Sequence, residues 1–216
     1  MSDIDAPVRI STEAGGRARD FSRRVARDND QFITLIQAMW RPIKERHARH
    51  PGCKLRREQL AELGRRWRND APKHFRISFA VHVNGSKGTI TERRLGIGRI
   101  ERIDDPEWTA QEDGVWVVEA RFVAGNDGAR SHHVLLANFS LHAIARWYQR
   151  SGKSSDAELM ADMNVVANID LAKLEKGSGV KITTDTDGGG WRGRLANAED
   201  GELTHRVVTV RTWLPD

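Results

Sequence analysis

The sequence predicts an α+β fold: a helical N-terminal region, then a mostly antiparallel sheet of about seven strands, with two helices inserted before the last three. Three observations predict it. Apolar residues recur at helical spacing through residues 17–72, at Phe21, Val25, Phe32, Ile36, Met39 and Ile43, and again at Leu55, Leu60, Leu63 and Trp67. From Lys73 the period changes to two, with Phe75, Ile77, Phe79, Val81 and Val83 alternating with Arg76, Ser78, Ala80 and His82. Hairpin-linked strands followed by segregated helices then indicate an antiparallel sheet with helices set apart from it.

The elements follow in order. Residues 1–16 end in Ala14-Gly15-Gly16 and read as a flexible tail. Helix follows over 17–49; Asp28-Asn29-Asp30 is a candidate break with Asp30 as an N-cap, and Pro42 is expected to kink or stop the helix. Pro51-Gly52 marks a turn, and a third helix runs from Lys54 to Asn69. Residues 73–216 form the α+β domain. Its first strand covers 75–83 and turns at Asn84-Gly85, a hairpin signal. Strands are expected at Thr89–Ile103, Val115–Val123 and His132–Asn138, separated by an acidic loop from Asp104 to Gly114 and by Gly125-Asn126-Asp127-Gly128. Ser140 can cap a helix to Arg150, and Ser154 or Ser155 a helix from Asp156 to about Lys176. Strands at Val180–Thr186, Trp191–Ala198 and Arg206–Leu214 close the chain.

Composition limits the function classes. The chain has 216 residues, enough for one sizeable domain, with 35 Lys+Arg against 30 Asp+Glu and a formal net charge of +5. A single cysteine, Cys53, excludes a disulfide framework and a cysteine-based zinc cluster. No run of about 18 apolar residues is present, so no membrane span is expected. The acidic start, Met1 to Pro7, does not read as a secretory signal, which makes the cytoplasm the expected address. The charge is uneven. Residues 17–76 hold 17 basic and seven acidic side chains, a net of +10, whereas 77–216 carry a net of −3. Within that second part no carboxylate side chain occurs between Asp127 and Asp156, an interval containing Arg130, Arg146, Arg150, Lys153, His132, His133 and His142. Such a local field favours an anion or a phosphate.

The most informative stretch is Ser140-Leu141-His142-Ala143-Ile144-Ala145-Arg146-Trp147-Tyr148-Gln149-Arg150. On a helix, His142, Arg146 and Arg150 fall at i, i+4 and i+8 and share a face, with Ile144 and Tyr148 on another. These cationic groups repel unless solvent, a distant carboxylate or a bound phosphate compensates them. His142 falls at the second helical position, where the dipole disfavours an imidazolium and keeps the ring a competent base. Two arginines could hold a phosphate and stabilise charge developing on it. A solvated helix face is the plain alternative.

This Ser-x-His-Ala-x-x-Arg-x-x-x-Arg pattern entering a helix resembles the signature of small bacterial domains related to barnase, EndoU, colicin and RelE-type ribonucleases, over residues 131–216. The resemblance implies a metal-free ribonuclease toxin with His142 and Arg146 in the active site and Arg150 in support. Gly189-Gly190-Trp191-x-Gly193, followed by Val210-Arg211-Thr212-Trp213-Leu214, is similar to the closing strands of such domains. That nominates Arg211 and Thr212. No metal or cofactor is expected.

A different class is carried by the third helix. Arg56, Arg57, Arg65, Arg66 and Arg68 with Trp67 among them suit RNA or DNA, through phosphate contacts and base stacking. The alternative to an enzyme is therefore a non-enzymatic nucleic-acid-binding or regulatory protein using its basic N-terminal helices. A structural protein of a mobile element, binding a partner protein at those helices, is a third possibility.

Overall fold

The computed structural model describes residues 9–50, 57–85, 87–98, 102–103, 114–125, 128–170, 181–186, 188–200 and 203–215. The Pro51-Gly52 turn, Arg56, most of the acidic loop and the expected helix end near Lys176 lie outside the described residues. The architecture is α+β. In chain order the elements are α1 (Thr12–Arg49), α2 (Arg57–Asp70), β1 (Arg76–Asn84), β2 (Lys87–Gly98), β3 (Arg102–Ile103), β4 (Gly114–Gly125), β5 (Gly128–Ser140), α3 (Leu141–Arg150), α4 (Asp156–Ala167), β6 (Lys181–Thr186), β7 (Gly189–Asp200) and β8 (Leu203–Leu214). No described helix is long and apolar enough to cross a membrane.

The strands form one sheet in the order β1-β2-β4-β5-β8-β7, with β6 and β3 sharing the far edge of β7. Every pairing is antiparallel except β5 with β8. Hairpins explain the antiparallel pairs: Gly85, at φ 58°, supplies the left-handed residue of the β1–β2 turn, and Gly128, at φ 114°, closes the β4–β5 turn. The expected strand over Thr89–Ile103 is two strands. β2 pairs with β4 as far as Gly98 opposite Gly114, whereas Arg102 and Ile103 form β3 on a different neighbour, against Glu199 and Ala198 of β7.

The sheet is covered on both faces. Leu95, Val115, Val117, Ala137 and Phe139 join core one with α3, α4 and the first half of α1. Ile90, Ala120, Phe122 and Ala124 join core two with α2 and the second half of α1. The odd spacing between these sets along β2 and β4 puts them on opposite faces. In β1 the register shifts between Arg76 and Ser78. Phe75 and Ile77 accordingly belong to core one, and Phe79, Val81 and Val83 to core two, rather than one uninterrupted half-buried run.

α1 departs most from the sequence expectation. It starts at Thr12, capped by the Ser11 hydroxyl accepting from Ala14 N–H at 3.1 Å, so Thr12–Gly16 are helix rather than tail. It passes unbroken through Asp28 and through Pro42, and spans about 57 Å at 1.5 Å per residue. Burial explains the continuity. Ala14, Ala18, Phe21 and Val25 are seated in core one and Phe32, Ile36, Met39 and Trp40 in core two, which offsets the roughly 3 kcal/mol a mid-helix proline costs.

Asp30 therefore caps no helix, and Asp28 beside it is a buried ion-pair partner of Arg94. Arg94 also bonds Glu92 at 3.1 Å and lies over the Phe32 ring at 3.7 Å. Glu92 is fully buried and accepts in addition from Trp67 Nε1 at 2.6 Å and Arg76 Nε at 3.0 Å. Burial lowers the Arg94 pKa from its ordinary value, against the opposing pull of Glu92 and Asp28. Replacing Glu92 by Gln keeps the shape but leaves two guanidiniums on one carboxylate. A loss of about 3 kcal/mol in urea denaturation is expected; a loss near zero would show that the network does not hold α1 and α2 to the sheet.

Candidate functional site

β5 runs into α3 without a loop, and Ser140 is the junction. Its hydroxyl accepts from Ala143 N–H at 3.1 Å, the N-cap expected from the sequence. α3 is held from below by Ala143, Ile144 and Trp147, all fully buried in core one with Trp191 and Trp213. It is held from the side by Asp162 of α4. That carboxylate accepts from Trp147 Nε1 at 2.7 Å and pairs with Lys153 at 3.2 Å, while the Asp162 carbonyl accepts from Trp191 Nε1 at 3.0 Å.

This packing leaves His142 exposed, Arg150 half-buried and Arg146 buried. Arg146 Nε donates to His142 Nε2 at 3.4 Å, a long hydrogen bond. Among the described residues, Arg146 Nη1 is enclosed without a hydrogen-bond partner. Among the described residues no carboxylate pairs with Arg146 or Arg150. Burial, and then the neighbouring Arg150 guanidinium, lower the Arg146 pKa from its ordinary value, so its charge is under-compensated.

β8 brings the C-terminal candidates to the same end of the sheet. Ala137, Asn138 and Phe139 pair in parallel with Val208, Thr209 and Val210. One step further on each strand stand Ser140 and Arg211, and adjacent strands lie about 4.8 Å apart. Arg211 is also the extra residue where the β7–β8 register shifts, between the pairs Gly193–Val210 and Arg192–Thr212. A bulge of this kind re-aims a side chain. Arg211 is half-buried, with its Nε enclosed. Thr212 is half-buried, and its hydroxyl donates weakly to the Trp213 carbonyl at 3.5 Å. The fold thus gathers the helix start and Arg211 at one sheet end.

The second set of candidates is not gathered in the same way. Arg57 opens α2; Arg65, Arg66 and Arg68 are exposed, with Arg65 paired to Glu62 at 2.6 Å and Arg68 set over Phe79 at 5.5 Å. Trp67 is fully buried and spends its indole N–H on Glu92, so its ring offers no face for a base to stack on. Its place on the apolar stripe with Leu60 and Leu63 is the reason.

A polar cluster that sequence reasoning missed lies beside α3. Asp156, at the start of α4, accepts from Arg24 Nη2 at 2.7 Å and pairs with His74 Nε2 at 3.1 Å. The groups are far apart in sequence and no local pattern marks them. Glu92 and Arg94, which the sequence reading also passed over, share the phase of buried Ile90 along β2. Among the described residues, no group of three or more His, Cys, Asp or Glu side chains is placed to hold a metal ion. Comparisons with protein-family models, with curated proteins and with solved structures gave no match to the chain.

Tyr148 supplies a pH prediction. Burial and then the Asp156 charge push its phenol up to about 12, against the pull of Arg17 and Arg24. An unfolded tyrosine titrates near 10. The folded state therefore holds this proton more tightly, and the associated stability is complete below about pH 10 and disappears as pH rises toward 12. Urea midpoints at pH 9 and 11.5 should fall further for the wild type than for Tyr148→Phe; parallel falls would remove Tyr148 as the source.

Proposed function

We propose that the protein is a metal-independent ribonuclease whose site is the N-terminal end of α3. One observation carries the reading: Arg146 is buried, its Nη1 has no partner among the described residues, and its Nε rests on the exposed ring of His142. A buried guanidinium without a carboxylate is an expensive arrangement unless an anion completes it. The half-buried arginines Arg150 and Arg211 sit on the same helix and at the same sheet end, and Thr212 follows.

In this reading Arg146, Arg150 and Arg211 hold the scissile phosphodiester. Phosphate binding draws Arg146 away from its long contact with His142, which frees Nε2. His142 then takes the proton of the 2′-hydroxyl. The 2′-oxygen bonds to phosphorus, the bond from phosphorus to the 5′-oxygen breaks, and that oxygen leaves with a proton from solvent. The arginines stabilise the charge of the pentacoordinate transition state. The products are a 2′,3′-cyclic phosphate and a 5′-hydroxyl. DNA, which lacks the nucleophile, is bound but not cut. The alternative reading, a non-enzymatic nucleic-acid-binding protein working through the basic N-terminal helices, is weakened by the burial of Trp67.

The test is cleavage of a short fluorescent RNA in the presence of EDTA, with the products checked for a cyclic phosphate. His142→Ala is expected to slow cleavage by 10²-fold or more and Arg146→Gln by about 10²-fold. His142 is exposed, so its variant should keep the wild-type melting temperature. Equal rates for wild type and His142→Ala would overturn the mechanism. Retention on RNA that fades with salt, without any cleavage, would favour the binding protein.

A further inference from the structure

β5 is paired unequally along its two edges. Its inner edge follows β4 from Gly128 to Ser140, whereas its outer edge meets β8 only at Ala137, Asn138 and Phe139. Among the described residues, nothing pairs with the outer edge over residues 128–135. Arg130, His132, His133 and Val134 are exposed there, Val134 at 44%. An open edge is a row of unspent backbone donors and acceptors, and natural sheets usually cover or blunt it.

A groove runs alongside this edge. It has a volume of about 660 Å³ and is bounded by Ile33, Ile36 and Trp40 of α1 and by Phe122, Ser131 and His133 of the sheet. Ile33 is 44% exposed. Ser131 pairs with Phe122 and His133 with Ala120, both core-two residues, so Ser131 and His133 point to the α1 side of the sheet. A strand added beside β5 would keep that alternation. Every second side chain would enter the groove, and the rest would lie on the other face beside Arg130 and His132, with Arg121 one strand further in and already paired with Glu119 at 3.3 Å.

The charges select the occupant. Pairing β5 with a second copy would bring two Arg130 guanidiniums to one seam to which β5 contributes no carboxylate, an unfavourable match. No carboxylate side chain is present from Gly128 to Ser155. On the groove rim Glu45 is spent on Arg41 at 2.8 Å, which leaves Lys44 exposed. We propose that the open edge of β5, with the α1 groove beside it, is a docking site for an extended partner peptide in which apolar and acidic residues alternate. The site is separate from the α3 end: Ser140 lies nine residue steps along the strand from Ser131, about 30 Å.

The probes are two synthetic peptides, acetyl-Glu-Val-Glu-Leu-Glu-Val-Glu-amide and its counterpart with Lys in place of each Glu, tested on the full chain. The acidic peptide should bind at least tenfold more tightly than the basic one and should slow amide hydrogen exchange across residues 128–135. Ile33→Glu, at an exposed position with the melting temperature checked, should weaken binding at least tenfold, and His142→Ala should leave it unchanged. No binding up to millimolar peptide, binding without protection of residues 128–135, or equal binding by Ile33→Glu would overturn the proposal.

Discussion

Four elements meet at one fully buried carboxylate. Glu92 on β2 accepts hydrogen bonds from Trp67 of α2, Arg76 of β1 and its own strand neighbour Arg94, and Arg94 carries the chain of contacts on to Asp28 of α1. Two carboxylates balance two guanidiniums. Removing such charges from water costs several kcal/mol each, and only complete mutual pairing offsets it. The network therefore tolerates one register. A one-residue slip of β2 would carry Glu92 and Arg94 to the other face and strand Asp28, Arg76 and the Trp67 indole. Asp28 also stands where α1 leaves core one for core two. The pairing holds the long helix at the point where it changes face.

The candidate site depends on that arrangement indirectly. Core one, which α1 helps to build, seats α3 on β8 through Trp147, Trp191 and Trp213. The three-residue parallel pairing of β5 with β8 then sets Ser140 beside Arg211. Arg94 and Arg146 make an instructive pair. Both are buried, and burial lowers the pKa of both. Arg94 has two carboxylates and an aromatic face. Arg146 has a long contact to the His142 imidazole. The first is a finished structural device. The second is an incomplete charge, and an anionic ligand is the chemistry that completes it.

Local signals were legible because they act over a few residues. Ser140 and Ser155 cap the helices that follow them, the latter in a reciprocal box with Glu158. Asn84-Gly85 makes its hairpin, and the alternation after Lys73 makes strand. The same reasoning failed on α1. Pro42 and the Asp28-Asn29-Asp30 run are local breakers, but contacts from two cores outweigh them. Trp67 admitted two readings, base stacking among the arginines and packing on the apolar stripe with Leu60 and Leu63, and it lies buried in core two.

By itself the sequence determined the fold class, the caps at Ser140 and Ser155, the Asn84-Gly85 hairpin and the motif with His142, Arg146 and Arg150 on one helix. These follow from backbone propensity and from periods of two or about four residues, which neighbouring residues settle between themselves. The tertiary structure alone decided which cations are neutralised and which are not. It placed Arg211 beside the start of α3 and gave Arg94 two carboxylates; among the described residues it left Arg146 without one and the first half of β5 open along one edge. Those outcomes turn on contacts across 60 or more positions, such as Asp28 with Arg94 and Phe139 with Val210. Sequence spacing holds no record of such distances, because they are fixed only when the sheet closes.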